Sequence, residues 1–373
     1  MRRLQVLLLI PVLFFAAMEA GASSIDDLLV VSLHTYDDNT NQTIYSTKAS
    51  LTKRLSERWG YGLSLGVDAV SGATPSSNAG DGGEDDDEEG ESEGNSRVYP
   101  SLSLKYDDGQ HIGAAGVYLS TETDYTGQSL FVDYTRVMNL GNTAAGISVS
   151  EASDRWKISG LDPDNRDERS VTLSLTQTLT PHAQARLVWT NIHSEGYLSN
   201  PHRFIDIGPD RVLERLPEER NGDALALKLV TLLKESTSFH LGYRYYSDDW
   251  SISSHTIDTA LYRDLSGSWT LGGRLRFYTQ TDAEFIRPLT EIQVADQWVA
   301  VDYKNTAFDT YTAGVEFQYK PGGGSTRFLD WDKAKLKGGL DLYTTSSNDF
   351  IDNWYGEDSI VGAMITVSME YQY

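Results

Sequence analysis

Between Asp81 and Glu93 the chain reads DGGEDDDEEGESE, nine carboxylates in thirteen residues with no apolar side chain. Clustered carboxylate oxygens suit a hard cation, so Asp85, Asp86, Asp87, Glu88 and Glu89 are candidate ligands for weakly bound Ca2+. The regular spacing of a twelve-residue calcium loop is missing, and without His or Cys the run offers a transition metal neither imidazole nor thiolate. A segment this charged cannot bury a core, so a solvated, disordered surface loop over residues 78–96 is the plainer reading. No other cofactor is expected.

A second set of polar side chains stands in segments rich in Gly, Pro and aromatics. Arg203 ends GYLSNPHR, Glu214 and Arg220 bracket ERLPEER, and Asp248, Asp249 and His255 lie in YYSDDWSISSHT. Acidic residues with a His, or Ser with His, are the ingredients of hydrolysis. Ser253, Ser254 and His255 are adjacent, however, and neighbours on a strand point to opposite faces, so they cannot form a nucleophile–base pair directly. No catalytic residue is assigned, and an outer-membrane hydrolase is a minor alternative. The plainer reading makes Asp248 and Asp249 a tight turn and pairs the Arg and Glu residues within folded loops.

The third set is periodic. Arg244, Asp258, Arg274, Arg276, Glu316, Lys335 and Lys337 each alternate with apolar neighbours, as do Lys48, Asp68, Lys105, Arg186 and Lys228. Period-two alternation belongs to a strand between an apolar medium and a wet one. An Arg facing lipid near the bilayer midplane costs roughly 2–4 kcal/mol, so Arg274 and Arg276 place the charged face inward, along a lumen. Charges of one sign there would draw anions, whereas pairing with Glu316 or Asp258 would cancel them.

The elements that carry these residues repeat one pattern. Leu63, Leu65 and Val67, then Val171, Leu173 and Leu175, then Tyr311, Ala313, Val315, Phe317 and Tyr319 occupy every second position, and about sixteen such strands can be read. Their length matches the roughly 9–11 residues a tilted strand needs to cross a bilayer. Short turns, as at Asp107-Asp108-Gly109, Thr180-Pro181-His182 and Lys320 to Gly324, alternate with longer connections, as at Ser71 to Arg97, Glu195 to Glu219, Asp282 to Phe308 and Ser346 to Ser359. Such segregation predicts an all-β transmembrane antiparallel barrel with short periplasmic turns and long extracellular loops. The last stretch, IVGAMITVSMEYQY, alternates up to Tyr373 and suits the closing strand that barrel assembly machinery reads.

Arg2 and Arg3 precede an apolar run from Leu4 to Met18, and Ala20-Gly21-Ala22 fits a small-x-small cleavage site. Residues 1–22 therefore read as a cleaved signal peptide and 23–373 as the barrel, placing the mature protein among the lipids of a Gram-negative outer membrane. About five residues separate the cleavage site from the first strand, which leaves no room for a plug domain. The chain has no Cys, which removes disulfides, zinc-thiolate sites and thiol catalysis, and its net charge of -23 disfavours nucleic acid as a partner.

Four segments in order, VSGATPSS from Val70, GYLSNPHR, ERLPEER and YYSDDWSISSHT, resemble those of a family of bacterial outer-membrane proteins defined only as a domain of unknown function. The resemblance spans essentially the whole mature chain, and the acidic run between Ser77 and Arg97 has no counterpart in it. It implies a barrel and brings no assigned activity. Through the flavin-attaching enzymes and small periplasmic lipoproteins that accompany such proteins, it also implies a periplasmic lipoprotein or flavoprotein partner. Two functions follow as expectations: passage or binding of a small solute or ion through a polar lumen, or a non-conducting scaffold that docks a redox partner.

Overall fold

The computed structural model describes residues 25–71, 95–156, 164–200, 202–324 and 330–373. The expected signal peptide, the core of the acidic loop and its five candidate Ca2+ ligands lie outside the described residues.

Sixteen strands close into one antiparallel barrel. They are β1 (Leu28–Asp38), β2 (Thr43–Arg54), β3 (Trp59–Ser71), β4 (Asn95–Asp107), β5 (His111–Thr121), β6 (Tyr125–Met138), β7 (Thr143–Trp156), β8 (Asp164–Thr180) and β9 (Ala183–Gly196). After the loop hairpin β10 (Phe204–Ile207) and β11 (Asp210–Leu213) the wall resumes with β12 (Glu219–Lys234), β13 (Thr237–Asp248), β14 (Ser253–Asp264) and β15 (Trp269–Gln280). It ends with β16 (Phe308–Tyr319), β17 (Ala334–Thr345) and β18 (Val361–Gln372). Closure is made by β18 against β1, in the register Leu33↔Val367. Past that pair the Tyr373 backbone N–H donates to Asp27 O at 3.1 Å, and its hydroxyl donates to Thr52 O at 3.2 Å.

The alternation sorts side chains as the pleat requires. Leu63, Leu65, Val67, Leu102, Leu104, Leu225, Leu227, Leu275, Val315, Ile365 and Val367 all stand exposed on the outer surface as an apolar belt. At the short-turn rim Trp59 packs on Tyr106 and Trp269 on Tyr319, with centroids 4.9 and 4.4 Å apart, as an interfacial girdle would. Inside, the pleat puts glycine where a ring must lie flat. A Cβ on Gly66 would sit 2.0 Å from the Tyr99 ring.

The wall is uneven in height. Strands β6, β7, β8, β9 and β12 run 14 to 17 residues, and the others 11 to 13. The extra turns of pleat above the apolar belt are polar outside, where Glu151 and Arg169 pair at 3.1 Å. The connection after β16 is longer than the Lys320 to Gly324 turn read from sequence. The next wall strand begins at Ala334, directly after a single 3-10 turn over Trp331 to Lys333 whose Asp332 N–H is accepted by the Asp330 side chain.

At the loop rim the connections fold rather than wave. Helix α1 (Asp349–Tyr355) is opened by the Asn348 side chain, which accepts the Phe350 N–H at 2.9 Å, and closed by Gly356 at φ 69°. It buries Phe350, Ile351 and Trp354. Among the described residues two small apolar cores lie in the loops: Leu216, Trp250, Ile252, Ala283 and Ala300 in one, Val212, Ile292, Val299 and Val301 in the other.

Candidate functional site in the lumen and its loop cap

Every lumenal candidate read from the sequence points inward, and each finds its setting through the register. Arg274, Gly314 and Asp341 lie side by side on β15, β16 and β17. Because Gly314 has no side chain, Asp341 reaches across it, since a Cβ there would fall 1.9 Å from the carboxylate. The Arg274 guanidinium forks onto Asp341 and also donates to Glu316 at 2.6 Å. Tyr262 donates its hydroxyl to the second Glu316 oxygen at 2.8 Å. Arg276 faces Asp258 at 3.6 Å, and Lys335 and Lys337 share Glu370 at 3.5 and 2.5 Å. Arg244 lies over the Tyr246 ring, 5.4 Å from its centre.

Arg274 is thus matched by two carboxylates and Arg276 faces one, so at these two positions the paired arrangement is present rather than the single-sign one. These bonds run along the wall, between strands no more than two apart. The Arg274, Arg276 and Asp258 side chains remain 40%, 41% and 51% exposed, so open space lies beside them inside the barrel.

The rim candidates divide into two groups and one outlier. Arg203 and Glu214 come together with Asp302, which lies in the β15–β16 loop. Glu214 is buried and accepts the backbone N–H of Asn200 at 2.8 Å and those of Val301 and Asp302 at 3.2 Å each. Arg203 approaches Asp302 at 3.7 Å, donates to the Tyr355 hydroxyl at 2.8 Å, and stacks 4.3 Å above the Trp354 ring. Burial raises the Glu214 carboxyl, the nearby Asp302 charge adds to this, and the result is about 7. Burial acts on Asp302 in the same sense, but Arg203 and Lys304 outweigh it and hold that carboxyl below its ordinary value.

Arg220 and Asp248 form the second group. The guanidinium donates to Asp248 Oδ2 at 2.8 and 2.6 Å and lies 4.5 Å over Trp250, and Tyr246 donates to the same oxygen at 2.9 Å. Asp248 Oδ1 accepts the Trp250 and Ile252 N–H groups, and Ser251 takes φ 66°, so the predicted tight turn is present. Asp249 accepts the Asn221 N–H at 3.0 Å, fastening that turn to β12. His255 stands apart on the outer surface, bonded to the Tyr243 hydroxyl at 2.8 Å, while Ser254 is buried on the inner face.

These contacts make the β9–β12 loop a bridge over the lumen. His202 pairs with Asp124 of the β5–β6 loop at 3.2 Å, and Arg203 bonds to Tyr355 between β17 and β18. Those anchors lie four strands away on one side, β6 to β9, and six on the other, β12 to β17. A segment held at both points must cross the mouth. Asp302, Asp341, Glu370 and Gly314 were missed by sequence reasoning. Asp341 carried a signal, standing between Leu340 and Leu342 with inward parity.

A search of curated proteins finds no match. Among solved structures the chain resembles a bacterial polysaccharide outer membrane secretin, with TM-score 0.52, 8% identity, and coverage of 94% of this chain and 99% of that one. OccK2 (OpdF) of Pseudomonas aeruginosa aligns with TM-score 0.45 and 8% identity over 93% and 97% of the two chains. The ferric enterobactin receptor of the same organism gives 0.45 and 11% over 88% of this chain. The chain spans about half the length of such siderophore receptors, 54% in that case. The first of these likenesses supports an outer-membrane type of barrel. A family model matches residues 151–364, more than half of the chain, and the chain belongs to that family, described as Protein of unknown function (DUF3570).

Proposed function

We propose that this barrel sits in the outer membrane of a Gram-negative cell, with its folded loops outward, and passes or captures a small solute or ion through its lumen. The observation that carries the reading is the exposure of the lumenal charges: Arg276 and Asp258 are 41% and 51% open to solvent although they lie mid-strand inside the wall. A lumen sealed by side chains would hold such pairs desolvated, which is costly unless geometry is near ideal. The apolar outer belt supports the membrane setting. The reading assigns no catalysis and needs no cofactor. Its partners are the outer-membrane lipid and the assembly machinery that inserts the barrel.

The loop bridge favours a second reading, a closed scaffold that docks a periplasmic lipoprotein or flavoprotein. Liposome swelling separates the two. Proteoliposomes should swell in small sugars or salts, faster when residues 198–217 are replaced by a short Gly-Ser linker. Absence of swelling in both proteins would leave the scaffold.

A further inference from the structure

The lumenal wall of β9 and β12 to β15 carries an excess of one sign. Arg186 and Lys228 are direct partners in the β9–β12 register. The same row continues through Gly242 on β13, Asp258 on β14 and Arg276 on β15. Arg244 lies two residues along β13 on the same face, toward the loop rim. Arg274, nearby, is taken up by Asp341 and Glu316. Four cations, Arg186, Lys228, Arg244 and Arg276, therefore share this stretch of wall with one carboxylate, Asp258, among the described residues. This happens in a chain whose net charge is -23, so composition does not account for it.

We propose that this wall is an anion-selecting site, taking small solutes that carry carboxylate or phosphate groups. The inference rests on the reading of the lumen as open to solutes. Low-dielectric walls focus the field of such a cluster into the lumen, and guanidinium groups match carboxylate and phosphate oxygens in pairs. Gly242 leaves the row open between Lys228 and Asp258. A Cβ there would meet only ordinary contacts, 3.5 Å from Asp258 Cβ at the nearest.

The absence of Cys gives a direct test. A thiol at Gly242→Cys, in folded protein, is timed against an anionic and a cationic methanethiosulfonate reagent. Each kT of positive potential raises local anion concentration about threefold and lowers cations equally, so the anionic reagent should be favoured by about tenfold or more. Lys228→Gln with Arg244→Gln should collapse that preference toward the ratio for a free thiol. If Gly242→Cys fails to fold, Thr312→Cys, beside Arg276 in the register, serves instead. A ratio favouring the cation, a ratio unmoved by the two substitutions, or a thiol reached by neither reagent until the protein is unfolded would overturn the site. The measurement needs no through-current, so the site can fail while conduction stands, and conduction can fail while the potential is confirmed.

Discussion

Glu214 offers the sharpest handle on the loop bridge. The residue is 2% exposed, and its carboxyl accepts three backbone N–H groups from two loops and is pushed up to about 7 from its ordinary 4.5. The folded bridge binds this proton more tightly than an opened one does. Stability therefore falls as pH rises from about 4.5 to about 7 and is level above that. At 1.36 kcal/mol per pH unit the loss between about pH 5 and pH 8 is about 3 kcal/mol. Asp302 is shifted the opposite way, so its contribution is lost only as pH falls below 3.8, outside this window. Hydrogen–deuterium exchange reads the effect as protection factors, which already allow for the intrinsic pH dependence of exchange. The Asn200 and Val301 amides should lose about a hundredfold in protection over that range, the equivalent of about 3 kcal/mol. Glu214→Gln should give a flat profile, about 1–3 kcal/mol below the wild-type level at low pH, because its amide nitrogen cannot accept an N–H. A flat wild-type profile, or a slope that survives in Glu214→Gln, would refute the reasoning.

Three further outcomes are expected. Arg274→Gln leaves Asp341, whose side chain is 3% exposed, without its cation. Since Arg274 itself is 40% exposed, the usual 3–5 kcal/mol for breaking a buried pair shrinks to about 1–3 kcal/mol, seen as a lower urea midpoint of the folded band. Tyr373→Ser removes the hydroxyl bond to Thr52 and the ring beneath Lys53, and should lower the yield of heat-modifiable protein in the outer membrane; an unchanged yield would make the terminal aromatic incidental. A tag inserted near Gly90, between β3 and β4, should be labelled on intact cells, and labelling only after the outer membrane is opened would reverse the orientation.

The barrel was legible because its cause is local. Leu63, Leu65 and Val67 turn an apolar face outward while their neighbours turn a polar face to the lumen, so period two is written in every strand, and loop length marks the two rims. The inward parity of Arg274, Glu316 and Lys337 was legible for the same reason. Their partners were not, because the Arg274–Gly314–Asp341 row depends on register across three strands and two connections, one of them longer than its turn residues suggest. The Glu214–Arg203–Asp302 cluster was hidden more deeply, for it joins two loops separated by four barrel strands. Arg203 and Glu214 stood out by type, but nothing near Asp302 announced a third member. His255 shared a segment with Asp248 yet parted from it, since β14 turns its odd-numbered residues outward.

Single-channel recording in planar bilayers tests the central claim, a hydrated lumen beneath a bridge of loops, most directly. Purified, folded protein should give discrete conductance steps, and the variant with residues 198–217 replaced by a Gly-Ser linker should give larger ones. If neither protein conducts while both insert and remain heat-modifiable, the lumen is closed and the passage reading is contradicted.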